Sequence, residues 1–168
     1  RKNIKEFLGK PIIAYSIKAA IDSKLFDEVM VSTDDEDIAN VAKKYGAKIP
    51  FIRSQKNSDD FATTYDVIGE VIQNFKDNGK EFDNLCCIYP CAPFVTSEIL
   101  IKAYAQLKEN NFDTVFPIIA YSFPIQRALR KDESKVSMIL EENINIRSQD
   151  LEDSFHDAGQ FYWCKTEQ

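Results

Sequence analysis

Apolar side chains recur at helical spacing from Pro11 to Ile21 (PIIAYSIKAAI), with the proline placed early, where a first-turn residue belongs. The pattern then shortens to a strand at Asp27 to Thr33 (DEVMVST), carried by β-branched residues. Thr33-Asp34-Asp35-Glu36 reads as a capping box that opens a helix through Tyr45, closed by Gly46. Lys48 to Ile52 predicts a second short strand, and Ala62 to Phe75 an amphipathic helix stopped around Asn78-Gly79. Leu85 to Tyr89 (LCCIY) is apolar throughout, as a strand covered on both faces is. Thr96-Ser97 caps a helix running to about Lys108, and Thr114 to Ala120 predicts a further buried strand.

Strict alternation of strand and helix predicts an α/β fold, a three-layer, mostly parallel sheet wrapped by helices, in one domain spanning residues 1–168. The alternation stops after Ala120. Residues 121–156 carry short, polar, irregular pieces, an excursion of the kind used as a substrate loop or a subunit contact, before Gly159 to Cys164 returns as an apolar, aromatic strand. Ligands of open parallel sheets sit at the carboxyl ends of the strands. That rule alone selects Thr33-Asp34, Arg53-Ser54, Tyr89-Pro90-Cys91 and Tyr121-Ser122.

With 44% hydrophobic and 29% charged residues, the 168-residue chain has the composition of a soluble globular protein. Its net charge of -6 argues against a nucleic-acid backbone as the main partner, because phosphate neutralisation needs a basic face. A small anion needs only a local cluster, and Arg1-Lys2-Asn3-Ile4-Lys5 provides one just ahead of the first helix. A solvated terminus accounts for the same residues. No run reaches the length of a membrane span and no signal peptide is visible. Cys86, Cys87, Cys91 and Cys164 have no metal-site spacing and read as buried, reduced thiols, which favours the cytoplasm.

Neither G-x-G-x-x-G nor G-x-x-x-x-G-K-[ST] occurs. Asp34, Asp35, Glu36 and Asp37 suit a metal or a phospho-acceptor site, but acidic residues in a first helical turn are explained by capping and the macrodipole. Asn57 to Thr64 is a polar loop entering a helix, close enough in sequence to Arg53 for Arg53, Ser58 and Thr63 to line one pocket. A guanidinium and hydroxyls there can read the carbonyl and amino edge of a pyrimidine. His156 is the only histidine, and Asp157 beside it can orient or charge it; a structural histidine is the competing reading. No serine or cysteine stands in a nucleophile motif.

Four stretches taken together, RKNIKEFLGKPIIAYSI at 1–17, VMVSTDDEDIANVAKKYGA at 29–47, YPCAPF at 89–94 and RSQDLEDSFHDAGQFYW at 147–163, resemble the cytidylyltransferases of nonulosonic (sialic-acid-type) sugars. The last stretch is the most specific and points to the pseudaminic branch of that family. The resemblance implies a Rossmann-like nucleotide-diphospho-sugar transferase fold and a reaction in which CTP and a nine-carbon 3-deoxy sugar acid give the CMP-sugar and pyrophosphate, with Mg²⁺ required. It implies that Arg1, Lys2 and Asn3 end the nucleotide signature, Lys2 as the catalytic, phosphate-holding residue. Arg53 and the loop from Ser58 to Thr63 would contact cytosine, and Tyr89, Pro90 and Cys91 would form a shelf beneath sugar and nucleotide. Arg147, Gln149, His156, Asp157 and Gln160 would face the sugar acid. A homodimer, with contacts from the region after Ala120, is implied as well.

The family's glycine- or serine-rich signature start is expected before Arg1 and its metal-binding acidic motif after Gln168, so no metal ligand is expected within these residues. The fold's first strand is expected to lie outside them, and this exact stretch by itself is expected to be inactive and poorly stable. Cys91 stands where a hydroxyl residue is commoner in relatives. Sialic, legionaminic and octulosonic acids are alternative sugars. A non-catalytic α/β binding module of the receiver type, drawn from Asp34 and Asp35, is an alternative of another class.

Overall fold

The structure is a computed structural model and describes residues 1–166. The chain divides into two compact units, one formed by Arg1–Phe116 with the segment returning from Gly159, the other by Pro117–Ala158.

The first unit opens with a 3-10 turn at Lys2–Ile4 and a small hairpin, β1 (Glu6–Phe7) and β2 (Lys10–Pro11), turned by Leu8 and Gly9 at positive φ. Helix α1 (Ile13–Ser23) follows, two residues later than the proline predicted, because Pro11 is paired in β2. Ile13, Ile17, Ala19 and Ala20 are buried. Helix α2 (Glu36–Lys44) is capped by Asp35, whose side chain accepts the N–H groups of Asp37 and Ile38. The expected Thr33 box therefore does not form. Thr33 instead accepts the Asp35 N–H at 3.1 Å, a turn that delivers the cap. Gly46 ends the helix at φ +97, and a Cβ there would meet Ile21 Cδ1 at 3.0 Å, so glycine fits for both reasons.

Neither Asp27 to Thr33 nor Lys48 to Ile52 becomes a strand. The two segments run parallel, but their pairing is confined to a bridge between Met30 and Lys48, with Val31 N–H on the Lys48 carbonyl at 3.0 Å and Lys48 N–H on the Val29 carbonyl at 2.9 Å. The next donor in that ladder is residue 50, a proline, which has no N–H to give. Contact resumes only where Arg53 N–H reaches the Thr33 carbonyl at 3.0 Å.

Helix α3 (Thr64–Asp77) begins with a full capping box between Thr63 and Asp66. Strand β3 (Asn84–Ile88) precedes α4 (Ser97–Glu109), capped by Thr96. The predicted strand at 114–120 is broken in two, β4 (Thr114–Val115) in the first unit and β5 (Ile118–Ala120) in the second, with Pro117 between them. β5 is exposed along its length rather than buried.

The second unit pairs β5 antiparallel with β8 (Phe155–Asp157) and carries a hairpin of β6 (Leu129–Asp132) and β7 (Lys135–Met138), turned at Glu133 with φ 45. The hairpin stands among the short irregular pieces expected there, with 3-10 turns on either side; the run of charges from Arg130 to Glu133 hid its period of two.

Strand β9 (Phe161–Lys165) returns to the first unit and pairs antiparallel with β3 and with β4. The fold is α/β as expected, but its described strand pairs are antiparallel and the sheets small, in place of a mostly parallel sheet. An apolar run such as Leu85 to Ile88 in β3 reports cover on both faces, not the direction of its neighbour. Two cores fill the unit. Phe161 and Trp163 from β9 pack with Leu100 and Leu107 of α4, and Ile13, Ile17 and Ile38 pack with Ala42 and Ala47. Trp163 lies against Phe26 at 5.1 Å between centroids and Tyr104 at 4.7 Å.

Candidate active site

A cavity of about 590 Å³ runs through the first unit between residues 25–33 on one side and β3 on the other, with α1 and α3 also in its walls. Its apolar part is lined by residues such as Val71 and Phe75. At the carboxyl ends of the two extended segments it becomes polar, where Asn3, Thr33, Arg53, Thr64 and Tyr89 line it.

Hydrogen bonds fix each of these groups. The Tyr89 and Thr64 hydroxyls are 3.2 Å apart, joining the end of β3 to the first turn of α3. The Tyr89 carbonyl accepts the Ser16 hydroxyl at 2.8 Å, and its N–H donates to the Gln160 carbonyl at 2.8 Å. Cys91 Sγ reaches Asn3 Oδ1 at 3.4 Å, so the short N-terminal turn is tied to the segment after β3. Arg53 is one quarter exposed, lies 3.9 Å from Asp34 through one terminal nitrogen, and keeps its Nε buried without an acceptor among the described residues. A buried donor without a partner costs about 1–3 kcal/mol, which an acceptor arriving with a ligand relieves.

The structure thus brings Asn3, Arg53, Tyr89 and Pro90 to one cavity, with Cys91 in contact with Asn3. Arg1 is turned elsewhere, its guanidinium on Asp35 at 3.0 Å and on Asp37. Backbone bonds from Ile38 and Asp37, together with Arg1, hold the Asp35 carboxyl below its ordinary value against the opposing effect of burial. Lys2 is exposed and outside the cavity lining. Ser58 donates to the Ser54 carbonyl at 2.8 Å and Thr63 caps α3; neither lines the cavity.

In the second unit, Arg147 is paired with Asp150 at 2.7 Å, Gln149 lies in an exposed 3-10 turn, and His156 and Asp157 stand on β8. The His156 Nδ1 is 2.9 Å from the Asp157 carbonyl, and the ring meets Tyr121 edge-on at 4.9 Å.

Two contributors escaped the sequence reading. Thr64 was hidden by its place in a capping sequence. Glu70, which gathers Ser54 and Asn57, lies two helical turns beyond Thr63, a spacing that puts it on the face of the helix nearest its own entry loop. The thiols of Cys86, Cys87 and Cys164 are free and half-buried rather than buried, since the cavity opens onto both Cys86 and Cys87. Apolar surroundings raise the Cys87 thiol to about 11 and raise Cys86 and Cys164 as well.

No group of three or more His, Cys, Asp or Glu side chains that could hold a metal ion occurs among the described residues. No described helix is long and apolar enough to cross a membrane.

The family model described as Cytidylyltransferase matches residues 1–163. The chain belongs to this cytidylyltransferase family. Within it, the chain is 44% identical over 164 residues to a pseudaminic acid cytidylyltransferase of Campylobacter jejuni, a match covering 97% of this chain and 71% of that protein. It is 36% identical over 167 residues to a Helicobacter pylori protein named as a pseudaminic acid cytidylyltransferase and UDP-2,4-diacetamido-2,4,6-trideoxy-beta-L-altropyranose hydrolase, covering 99% of this chain and 32% of that one. The fold of this cytidylyltransferase is similar to that of CMP:2-keto-3-deoxy-manno-octonic acid synthetase solved with CTP, with a TM-score of 0.68 at 16% identity over 98% of this chain and 67% of the other.

Proposed function

We propose that this cytidylyltransferase moves CMP from CTP onto pseudaminic acid and releases pyrophosphate, supplying an activated sugar for surface-glycan or flagellin glycosylation. The sugar's anomeric oxygen forms the new bond to the α-phosphorus as the bond to the β-phosphate oxygen breaks. The observation that carries the reading is the meeting of Asn3, Arg53, Tyr89 and Pro90 at one cavity, with the Arg53 Nε left without an acceptor. The sugar is inferred from the names of the relatives at 44% and 36% identity.

In this reading Arg53 meets cytosine, and Asn3 lies by the base or ribose. Arg1 and Lys2 offset phosphate charge as pyrophosphate leaves, which is the main work of such a site. To reach the phosphate, Arg1 gives up its pairing with Asp37, which is exposed, and with Asp35, which is partly buried. Tyr89, Pro90 and Cys91 form the shelf. Arg147, Gln149, His156, Asp157 and Gln160 are assigned to the sugar acid, Arg147 because a guanidinium fork fits a carboxylate. Mg²⁺ enters as the ion that the CTP phosphates carry, with no described residue assigned to it. The three-layer, Rossmann-like reading of the fold draws support from the parallel bridge at Met30.

Exposed Phe123, Leu129, Ile144 and Phe155 make the second unit's surface apolar, which supports a homodimer formed through it. Light scattering should then give twice the chain mass. Free thiols suit a cytoplasmic enzyme.

The test is pyrophosphate release from CTP with Mg²⁺ and each of pseudaminic, N-acetylneuraminic, legionaminic and 3-deoxy-octulosonic acids. Pseudaminic acid should give the highest kcat/KM. Release with none of the four overturns the function, and a preference for another acid overturns the sugar.

A further inference from the structure

Glu70 takes no part in the cavity wall, yet its carboxylate collects three donors from the loop that carries Arg53. The Ser54 N–H donates to Oε1 at 2.7 Å, the Ser54 hydroxyl donates to Oε2 at 2.9 Å, and the Asn57 side-chain amide also donates to Oε2. Ser54 and Asn57 are the two ends of a single 3-10 turn, Gln55–Asn57 with Ser54 as its N-cap. The Ser54 side chain makes no capping bond to that turn, because its hydroxyl is turned to Glu70. Ser58 then fastens back onto the Ser54 carbonyl at 2.8 Å. On the other side, the Arg53 N–H is held by the Thr33 carbonyl at 3.0 Å.

One carboxylate on a rigid helix therefore sets the backbone on both sides of the turn. Arg53 stands immediately before it and Ser58 immediately after. Bonds to an ionised carboxylate are shorter and stronger than neutral ones, so this clamp is stiffer than the loop's own turn hydrogen bonds. Burial acts to raise the carboxyl's pKa, but the Ser54 N–H, the Asn57 amide, the Ser54 hydroxyl and Arg53 together lower it, which keeps the group ionised at neutral pH.

We propose that Glu70 is the positioning residue of the nucleotide-reading loop, fixing Ser54 and Asn57 so that Arg53 meets the cytidine end of CTP in one orientation. This inference rests on the cytidylyltransferase function proposed above. Glu70 touches no substrate. Its effect is on where Arg53 lies, and displacement of a binding group by an ångström is enough to weaken a site severely.

The test compares Glu70→Ala and Glu70→Gln with wild type in the whole protein, measuring kcat and the KM for CTP and for the sugar acid separately. Glu70→Ala should raise the KM for CTP about tenfold, the loss of one charge-assisted clamp. It should leave kcat within about twofold and the KM for the sugar acid unchanged. Glu70→Gln keeps a carbonyl acceptor for Ser54 and should recover part of the loss; it also carries the test if Glu70→Ala fails to fold. Amide exchange at Ser54 should quicken in both. An unchanged KM for CTP in active variants overturns the inference alone. So does a loss of kcat with both KM values unaltered, the mark of a smaller folded fraction. Wild-type protein that neither binds nor turns over CTP overturns the parent function, and this inference with it.

Discussion

The hydroxyls of Tyr89 and Thr64 lie 3.2 Å apart in the cavity wall, joining the residue that follows β3 to the first turn of α3. Neither backbone alone could hold that separation, since 24 residues lie between them in sequence. Replacing Tyr89 with Phe removes the bond and leaves the ring in place. We expect a loss of about 1 kcal/mol in unfolding free energy and a rise in the KM for CTP, read by denaturant titration and steady-state kinetics. An unaltered KM would detach Tyr89 from the nucleotide.

Arg53→Lys keeps the charge and loses the planar fork, whose Nε is buried. The KM for CTP should rise about tenfold or more, with a smaller effect of added salt than a simple charge contact would show. Arg53→Ala should be worse. Equal KM values for wild type and the lysine variant would reduce Arg53 to a point charge.

Trp163 is 2% exposed, stacks on Phe26 with an interplanar angle of 2°, and keeps its indole N–H without a partner among the described residues. Trp163→Ala should cost about 3–5 kcal/mol. Trp163→Phe should cost much less, because part of the lost packing is offset by removing the unpaired donor. Thermal or urea unfolding separates the two; equal costs would show that a phenyl ring recovers none of the packing and that removing the unpaired donor offsets nothing.

The Cys87 thiol, at about 11, carries scarcely any thiolate at pH 8, and Cys86 is raised further. Both should resist iodoacetamide in native protein and react once urea is added, as counted by mass spectrometry. Rapid native labelling at either would mean that the cavity admits water freely enough to ionise them.

Glu28 is nearly buried between Lys48 at 3.1 Å and Lys80 at 3.4 Å. Burial raises its pKa, but the two lysines lower it by more, below the ordinary 4.5. A lowered folded value means that the stabilisation is full above about pH 4.5 and is lost as pH falls through the folded value. Glu28→Gln should cost about 1 kcal/mol at pH 7 and flatten the acid limb of the stability curve. An acid limb identical to wild type would leave Glu28 without a role in it.

Local signals were read well where short-range chemistry sets the structure. Thr96 caps its helix and Gly46 ends one at positive φ, as the local pattern predicts, whereas the box predicted at Thr33 forms instead between Thr63 and Asp66 on another helix. Pro50 was visible too, yet its consequence was not, since a missing donor matters only once Val31 is known to lie opposite. The same holds for Pro117, which divides one expected strand between two units.

The sequence by itself determined the α/β class and the positions of the helices, because apolar periodicity and capping are written along the chain; the strand-end rule also picked out Arg53, Tyr89 and Pro90, which line the cavity, whereas Asn3 entered through the family resemblance. Only the tertiary structure decided that β3 pairs antiparallel with β9 and that Arg1 turns to Asp35 and Asp37. It also decided that Glu70 grips the loop before its own helix. Strand direction, ion-pair choice and side-chain reach depend on which segments meet in space, and a one-dimensional pattern records burial without recording the neighbour.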